Sequence, residues 1–145
     1  MILRTAWVFS PYRKNFVRTI LRLAAERERL TIVEDQRGCP TAARDIAQAC
    51  LDIAMRCAVD SDGASYGTYH FAGAGAATWF DFAGAIIDLA ARRLGRRPQA
   101  VPIATSDYPT PPARAADTRL DCMCLWPQAA AVAAGARRNN RTFAE

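Results

Sequence analysis

The residues able to do chemistry in this sequence are few, and they do not assemble into a catalytic set. Acid-base chemistry by a tyrosine with a lysine four residues later needs a lysine in the right place. The only lysine is Lys14, two residues after Tyr12. The only histidine, His70, stands between Tyr69 and Phe71 in a strand-like run, where a hydrogen-bonded structural role is expected of it. Asp107 and Asp117 fall in loop sequence and form no evident acid-base pair. Ser10 and Ser65 lack the glycine-flanked elbow that exposes a nucleophile. Gly73-Ala74-Gly75 follows a strand pattern and precedes a helical one, as a dinucleotide-binding turn would. Its third glycine is replaced by Thr78, and no acidic residue closes a following strand. A tight strand-to-helix turn is the reading adopted. The cysteines Cys39, Cys50, Cys57, Cys122 and Cys124 are odd in number. Cys122-Met123-Cys124 has no second pair or nearby histidine, which argues against a zinc site and against a secreted disulfide scaffold. Reduced thiols and a cytoplasmic location are expected. No catalytic, cofactor-binding or metal residue is therefore assigned.

The elements around these residues follow from periodicity. The chain has 145 residues, 51% apolar, a length suited to one domain with a packed core. Ile2 to Phe9 is short and apolar, as expected of a strand buried on both faces. Asn15 is placed to cap a helix running to about Arg29, with Phe16, Ile20, Leu23 and Ala24 on one face. Leu30–Val33 reads as a strand and 35–40 as a loop. Thr41 is expected to cap a helix whose apolar stripe is Ala43, Ile46, Ala47, Cys50, Ile53, Ala54 and Cys57, closed by Asp60 to Gly63. Gly67–Phe71 is a strand. Thr78 caps a helix from about Trp79 to Leu94, which Gly95 stops. Ala100–Ala104 is a further strand, and 106–116 is extended. Strands alternating with helices define an α/β class. A strand pattern right at Met1, with few partners for it in the chain, makes a piece of a larger sheet the expectation. No apolar run is long enough for a bilayer, and Met1 to Phe9 is not a signal-peptide pattern.

Several segments in order resemble the C-terminal part of dTDP-4-dehydrorhamnose reductases, which are extended short-chain dehydrogenases/reductases. They are Leu3-Arg4-Thr5-Ala6-Trp7-Val8-Phe9, Asn15-Phe16-Val17, Val33 through Thr41, Gly67 through Ala72, Thr78-Trp79, and Asp107 through Pro111 leading to Thr118-Arg119-Leu120-Asp121. The resemblance spans about residues 2–121. It implies the C-terminal portion of a Rossmann-like α/β reductase that lacks the glycine-rich N-terminal half and the Tyr-x-x-x-Lys pair. The implied activity is NADPH- or NADH-dependent reduction of the 4-keto group of a dTDP-6-deoxyhexulose in dTDP-L-rhamnose formation. This chain is expected to contribute substrate contacts, to bind no cofactor alone and to be inactive alone. A homodimer is implied for the full-length family.

Carried over residue by residue, the resemblance implies a substrate role for seven positions. Trp7 offers a flat indole and one N–H to a deoxysugar, the alternative being a core tryptophan. Asn15 and Phe16 match a segment that meets the nucleotide diphosphate at a helix N-terminus, and Asn15 can equally be a plain N-cap. Gln36, Gly38 and Thr41 belong to a loop that either wraps the nucleotide or turns the chain. Arg119 is a diphosphate partner or a surface arginine. Two departures stand out. Arg114-Ala115-Ala116-Asp117-Thr118 replaces the family's Arg-Pro-x-Asn-Ser, and 123–145 is rich in alanine and arginine without a bulky apolar face. The expected division is thus a substrate-binding part at 2–121 and an atypical tail at 122–145, disordered or out of register. The formal charge of +5 and the clusters around Arg92–Arg97 and Arg137–Arg141 leave a second reading, a basic module for anions or nucleic acid. A third is an interaction protein that pairs its first strand with a partner.

Overall fold

A computed structural model describes residues 1–59, 67–108 and 114–122. Its elements in order are β1 (Ile2–Arg4), β2 (Val8–Phe9), α1 (Phe16–Glu26), β3 (Arg29–Val33), β4 (Arg37–Gly38), β5 (Thr41–Ala42), α2 (Ala43–Val59), β6 (Thr68–His70), β7 (Ala77–Thr78), α3 (Trp79–Leu94) and β8 (Gln99–Ile103). A short 3-10 turn over Thr105–Asp107 follows. Three ladders are parallel: β1 with β6, β2 with β5, and β3 with β8. Among the described residues, β4 and β7 alone pair antiparallel. Parallel pairs need long crossovers, and here helices supply them, which is the α/β plan expected from the sequence.

The core lies where α1 and α3 pack on β3. Ile20 and Ala24 from α1, Leu30 and Ile32 from β3, and Ala83, Ile86 and Ile87 from α3 form one buried cluster. Each helix contributes residues three or four apart, so each buries one stripe. Ile87 is 2% exposed, and burying such a side chain contributes about 1.5–3 kcal/mol.

Local chemistry sets the helix ends. The Asn15 side chain accepts from the Arg18 amide at 3.2 Å and starts α1. Thr78 and Asp81 form a reciprocal capping box at the start of α3. Gly95, with φ 64°, ends α3 in the left-handed conformation that favours glycine.

Five expectations need correction. The first strand is not continuous or buried on both faces. It breaks at Trp7, where φ is 52°, and Ile2 is 60% exposed. The first helix ends at Glu26 rather than near Arg29, because β3 begins at Arg29 and pairs with β8. Thr41 does not cap α2 but lies in β5, pairing with Val8. The apolar stripe of α2 is only partly covered, with Ala43, Ile46, Ile53 and Cys57 half-buried. Ala49, outside that stripe, is the buried residue of the helix, while Ala47, Cys50 and Ala54 are exposed along with Leu51, Met55 and Val59. Within the segment expected to be extended, Ser106 and Asp107 instead lie in the 3-10 turn. Asp60 to Gly63, residues 109–113 and the tail from Met123 lie outside the described residues.

Candidate functional site

Trp7 follows β1, Gln36 follows β3 and Thr105 follows β8, so three loops at the carboxyl ends of strands converge. In open α/β sheets that is the edge at which ligands bind. Trp7 holds a left-handed backbone that is uncommon for a bulky residue. Its surroundings enforce this. Its carbonyl accepts from the Thr41 amide at 3.1 Å. Its indole stacks on that of Trp79 with centroids 3.5 Å apart and planes 6° from parallel. The backbone of Gly38 presses on the ring-fusion atoms, where a Cβ would overlap the indole. Its Nε1 donates to the Thr118 hydroxyl at 3.0 Å, and that hydroxyl donates in turn to the Arg37 carbonyl at 3.0 Å.

Trp79, the first residue of α3, is the hub. Phe16 packs on it at 4.5 Å with planes tilted by 49°, and Phe82 packs on Phe16 at 5.5 Å. Its Nε1 donates to Gln36 Oε1 at 3.2 Å. Gln36 is buried at 7% exposure, and its Nε2 donates to the Thr105 hydroxyl at 3.0 Å. That hydroxyl donates to Asp35 at 2.5 Å, and the Thr105 amide donates to the other Asp35 oxygen at 2.9 Å. These Thr105 contacts hold the Asp35 carboxyl below the usual carboxylate range.

Two clefts open on this cluster. One, of about 410 Å³, is walled by Phe16, Leu23, Val33, Gln36, Trp79 and Arg114 among others. The second, of about 500 Å³, is walled by Ala6, Trp7, Gln36, Trp79, Arg114 and Thr118 among others. Gln36, Trp79 and Arg114 line both, so the clefts are neighbours across one shared wall. Among the described residues Arg114 has no ion-pair partner, and it lines an aromatic, largely apolar site. Such a site suits a ligand with flat or apolar faces and an anionic group.

The structure brings Trp7, Phe16, Gln36 and Gly38 together around Trp79. The other three sequence candidates stand apart from the clefts. Asn15 caps α1, and its Nδ2 also donates to the Ser10 carbonyl at 2.8 Å, securing the loop before the helix. Thr41 is fully buried, donates to the Cys39 carbonyl at 2.9 Å and accepts from the Gly73 amide at 3.1 Å. It therefore ties the loop to the Gly73–Gly75 turn, where a Cβ on Gly73 would strike the Pro40 carbonyl. Arg119 grips Asp117 through both its Nε and Nη2, the shortest contact being 2.6 Å, and this fork lowers the Asp117 pKa to about 2. His70 shares a hydrogen bond at 3.1 Å with the Asp121 carbonyl, the structural role expected of it. Trp79, Thr105, Arg114 and Thr118 were not singled out from the sequence as site residues. A large aromatic directly after the Thr78 cap was the available signal for Trp79.

Among the described residues no group of three His, Cys, Asp or Glu side chains is placed to hold a metal. Cys39, Cys50, Cys57 and Cys122 are free thiols. No helix among the described residues is long and apolar enough to cross a membrane.

Fold and site together define a Rossmann-like α/β module that presents a ligand cleft beyond the carboxyl ends of its strands. The chain belongs to the RmlD substrate binding domain family, whose model matches residues 1–137. It is similar to the dTDP-4-dehydrorhamnose reductase of Sinorhizobium fredii, 42% identical over 121 residues that cover 83% of this chain and 41% of that one. It is 45% identical to the enzyme of the same name from Aggregatibacter actinomycetemcomitans over 123 residues, covering 83% of this chain and 42% of that one. Among solved structures it resembles the dTDP-4-dehydrorhamnose reductase of Bacillus anthracis in complex with NADP. There the TM-score is 0.72 and the identity 31%, over 86% of this chain and 40% of that one. The chain thus spans about two fifths of the length of these relatives.

Proposed function

We propose that this chain is the substrate-binding part of a dTDP-4-dehydrorhamnose reductase. It would receive the dTDP-sugar in the paired clefts, for reduction of the 4-keto group in dTDP-L-rhamnose formation. The observation that carries the reading is the aromatic cluster of Trp7, Trp79 and Phe16, with Gln36 behind it and Arg114, which forms no ion pair among the described residues, beside it. Indole and phenyl surfaces suit a pyrimidine ring or the apolar face of a deoxysugar. A guanidinium suits a diphosphate, which it can grip through two oxygens. Trp7 meets the ligand through its ring edge, since its N–H is bound to Thr118 and Trp79 covers one face. Gly38 supports that ring, and Asn15, Thr41 and Arg119 hold the loops around the site rather than the ligand.

NADPH or NADH supplies the hydride when bound to the complete enzyme. The residues of this chain make no glycine-rich cofactor turn and no Tyr-x-x-x-Lys pair. Alone it binds neither nucleotide cofactor and is inactive. The same proposal includes a cytoplasmic location and a homodimer of the full-length enzyme. The arginines give no support to a nucleic-acid module: Arg97 is paired with Asp88 and Arg96 donates to the Ala25 carbonyl, so this cluster is tied to its own helices.

Titration of the ¹⁵N-tryptophan-labelled chain with dTDP and with NADPH tests the reading. The expected result is a saturable movement of the Trp7 and Trp79 indole resonances with dTDP and none with NADPH. Tight NADPH binding, or no response of either indole to dTDP, would overturn it.

A further inference from the structure

We propose that Asp35, which lines neither cleft, is a positioning residue that fixes the orientation of Trp79 and through it the aromatic wall of the ligand site. Four side chains form one hydrogen-bonded chain, from Asp35 through Thr105 and Gln36 to Trp79. The chain has only one consistent direction. A carboxylate accepts and cannot donate, so the Thr105 hydroxyl must donate its proton to Asp35. The Thr105 oxygen is then left as an acceptor, and Gln36 must turn its NH₂ toward it. That places Gln36 Oε1 against Trp79, whose indole N–H can only donate. Both ends of the chain demand the same amide orientation.

The burial pattern gives this direction its force. Gln36 is buried at 7% exposure, so a reversed amide would face its NH₂ to the Trp79 N–H and lose both of its side-chain bonds. Asp35 is anchored a second time by the Thr105 backbone amide at 2.9 Å, so it cannot rotate away from the hydroxyl without losing that bond. Trp79 in turn is the surface on which Trp7 and Phe16 pack. A polar contact outside the clefts thereby sets the angle of the ring that separates them.

Asp35→Asn keeps the size of the side chain and breaks the logic. Its amide must present NH₂ either to the Thr105 amide or to the Thr105 hydroxyl. The first choice sets two donors face to face. The second takes away the acceptor that oriented the Thr105 proton, so the amide direction of Gln36 is no longer fixed from that end. The experiment records indole N–H resonances of the ¹⁵N-tryptophan-labelled full chain, assigned with Trp7→Phe and Trp79→Phe. In Asp35→Asn the Trp79 resonance is expected to move upfield, as its hydrogen bond weakens, while the Trp7 resonance, bound to Thr118, stays in place. Thr105→Val removes the same link without touching charge and is expected to reproduce the shift, and Thr105→Ser to restore the parent position. An unmoved Trp79 resonance in folded Asp35→Asn or Thr105→Val overturns the proposal. Should Asp35→Asn fail to fold, Thr105→Val decides.

The inference of a role in ligand binding rests on the sugar-nucleotide reading above. The dTDP titration is therefore repeated on Asp35→Asn, with affinity expected to fall about five-fold, the loss of one ordinary hydrogen bond. If dTDP moves no indole of the parent chain, the functional reading fails while the resonance shift still decides the positioning role. If dTDP binds parent and variant alike, the positioning role in binding fails alone.

Discussion

Gly38→Ala is the substitution whose consequence follows most directly from the packing around Trp7. A Cβ at position 38 would sit on the ring-fusion atoms of the indole, deep inside van der Waals contact. Neither side can yield cheaply. Gly38 is held in β4 opposite Ala77, and the indole is backed by Trp79 at 3.5 Å. If the indole stays, the methyl is forced into a filled space, an overpacking cost of about 1–3 kcal/mol. If it leaves, the stack is lost, about 0.5–1.5 kcal/mol. The bond from its N–H to Thr118 goes too, about 0.5–1.5 kcal/mol. Both routes converge on about 2 kcal/mol of lost stability. Urea unfolding followed by far-ultraviolet circular dichroism measures the loss, and near-ultraviolet dichroism reports whether the indole pair survives. The cost arises only where an indole opposes the methyl, so the cycle with Trp7→Ala is informative. In that background Gly38→Ala is expected to cost little, giving a coupling well above the ~0.5 kcal/mol of independent sites. Additive losses in the cycle, or an unchanged midpoint in the single variant, would refute the claim that Gly38 is glycine because of Trp7.

Three further outcomes follow from named contacts. Asp117 is held by Arg119 with a pKa of about 2, below the ordinary 3.8, so the pair's contribution is present above the ordinary value and is lost as pH falls through about 2. Carbonyl-detected titration should place its midpoint there, and Arg119→Ala should return it toward the ordinary value. Thr78→Ala removes the hydroxyl half of the capping box and should cost about 1 kcal/mol in urea unfolding, while the amide at position 78 still donates to Asp81 and keeps its carboxyl below the ordinary pKa. Asn15→Ala removes the cap of α1 and the donors that hold the Ser10 and Tyr12 carbonyls, and should cost about 1–2 kcal/mol. Asn15→Asp keeps the cap acceptor and should recover about half; equal losses in both variants would remove the cap from the account.

The helix α3 was legible at both ends because its signals are local: a Thr78–Asp81 box at one end and Gly95 at the other. The strand β3 and the buried faces of α1 and α3 were legible because periodicity reports burial directly. Trp7 as a break between two strands was not, since its backbone is bent by Gly38, Thr41 and Trp79, which lie far away in the sequence. Thr41 resembled a cap because it directly precedes a helix, yet its hydroxyl bonds Cys39 and Gly73 instead. The α2 stripe revealed a helix correctly but not what covers it, for periodicity describes the helix and not its surroundings. Within the site, the motif positions Trp7, Phe16, Gln36 and Gly38 do meet. Their meeting point, Trp79, is reached only through contacts that the three-dimensional fold creates.

The parallel ladders carry a consequence for how the chain acquires its structure. Ile2 lies opposite Thr68 and Arg29 opposite Gln99, so each of these pairings must close a long loop before any hydrogen bond repays it. Even the antiparallel contact, Arg37 opposite Thr78, is not a hairpin. Among the described residues no ladder joins strands adjacent in sequence, and topologies dominated by such distant pairings fold slowly. During that delay Leu51, Met55 and Val59 are already displayed on α2, so refolding yield should fall as protein concentration rises.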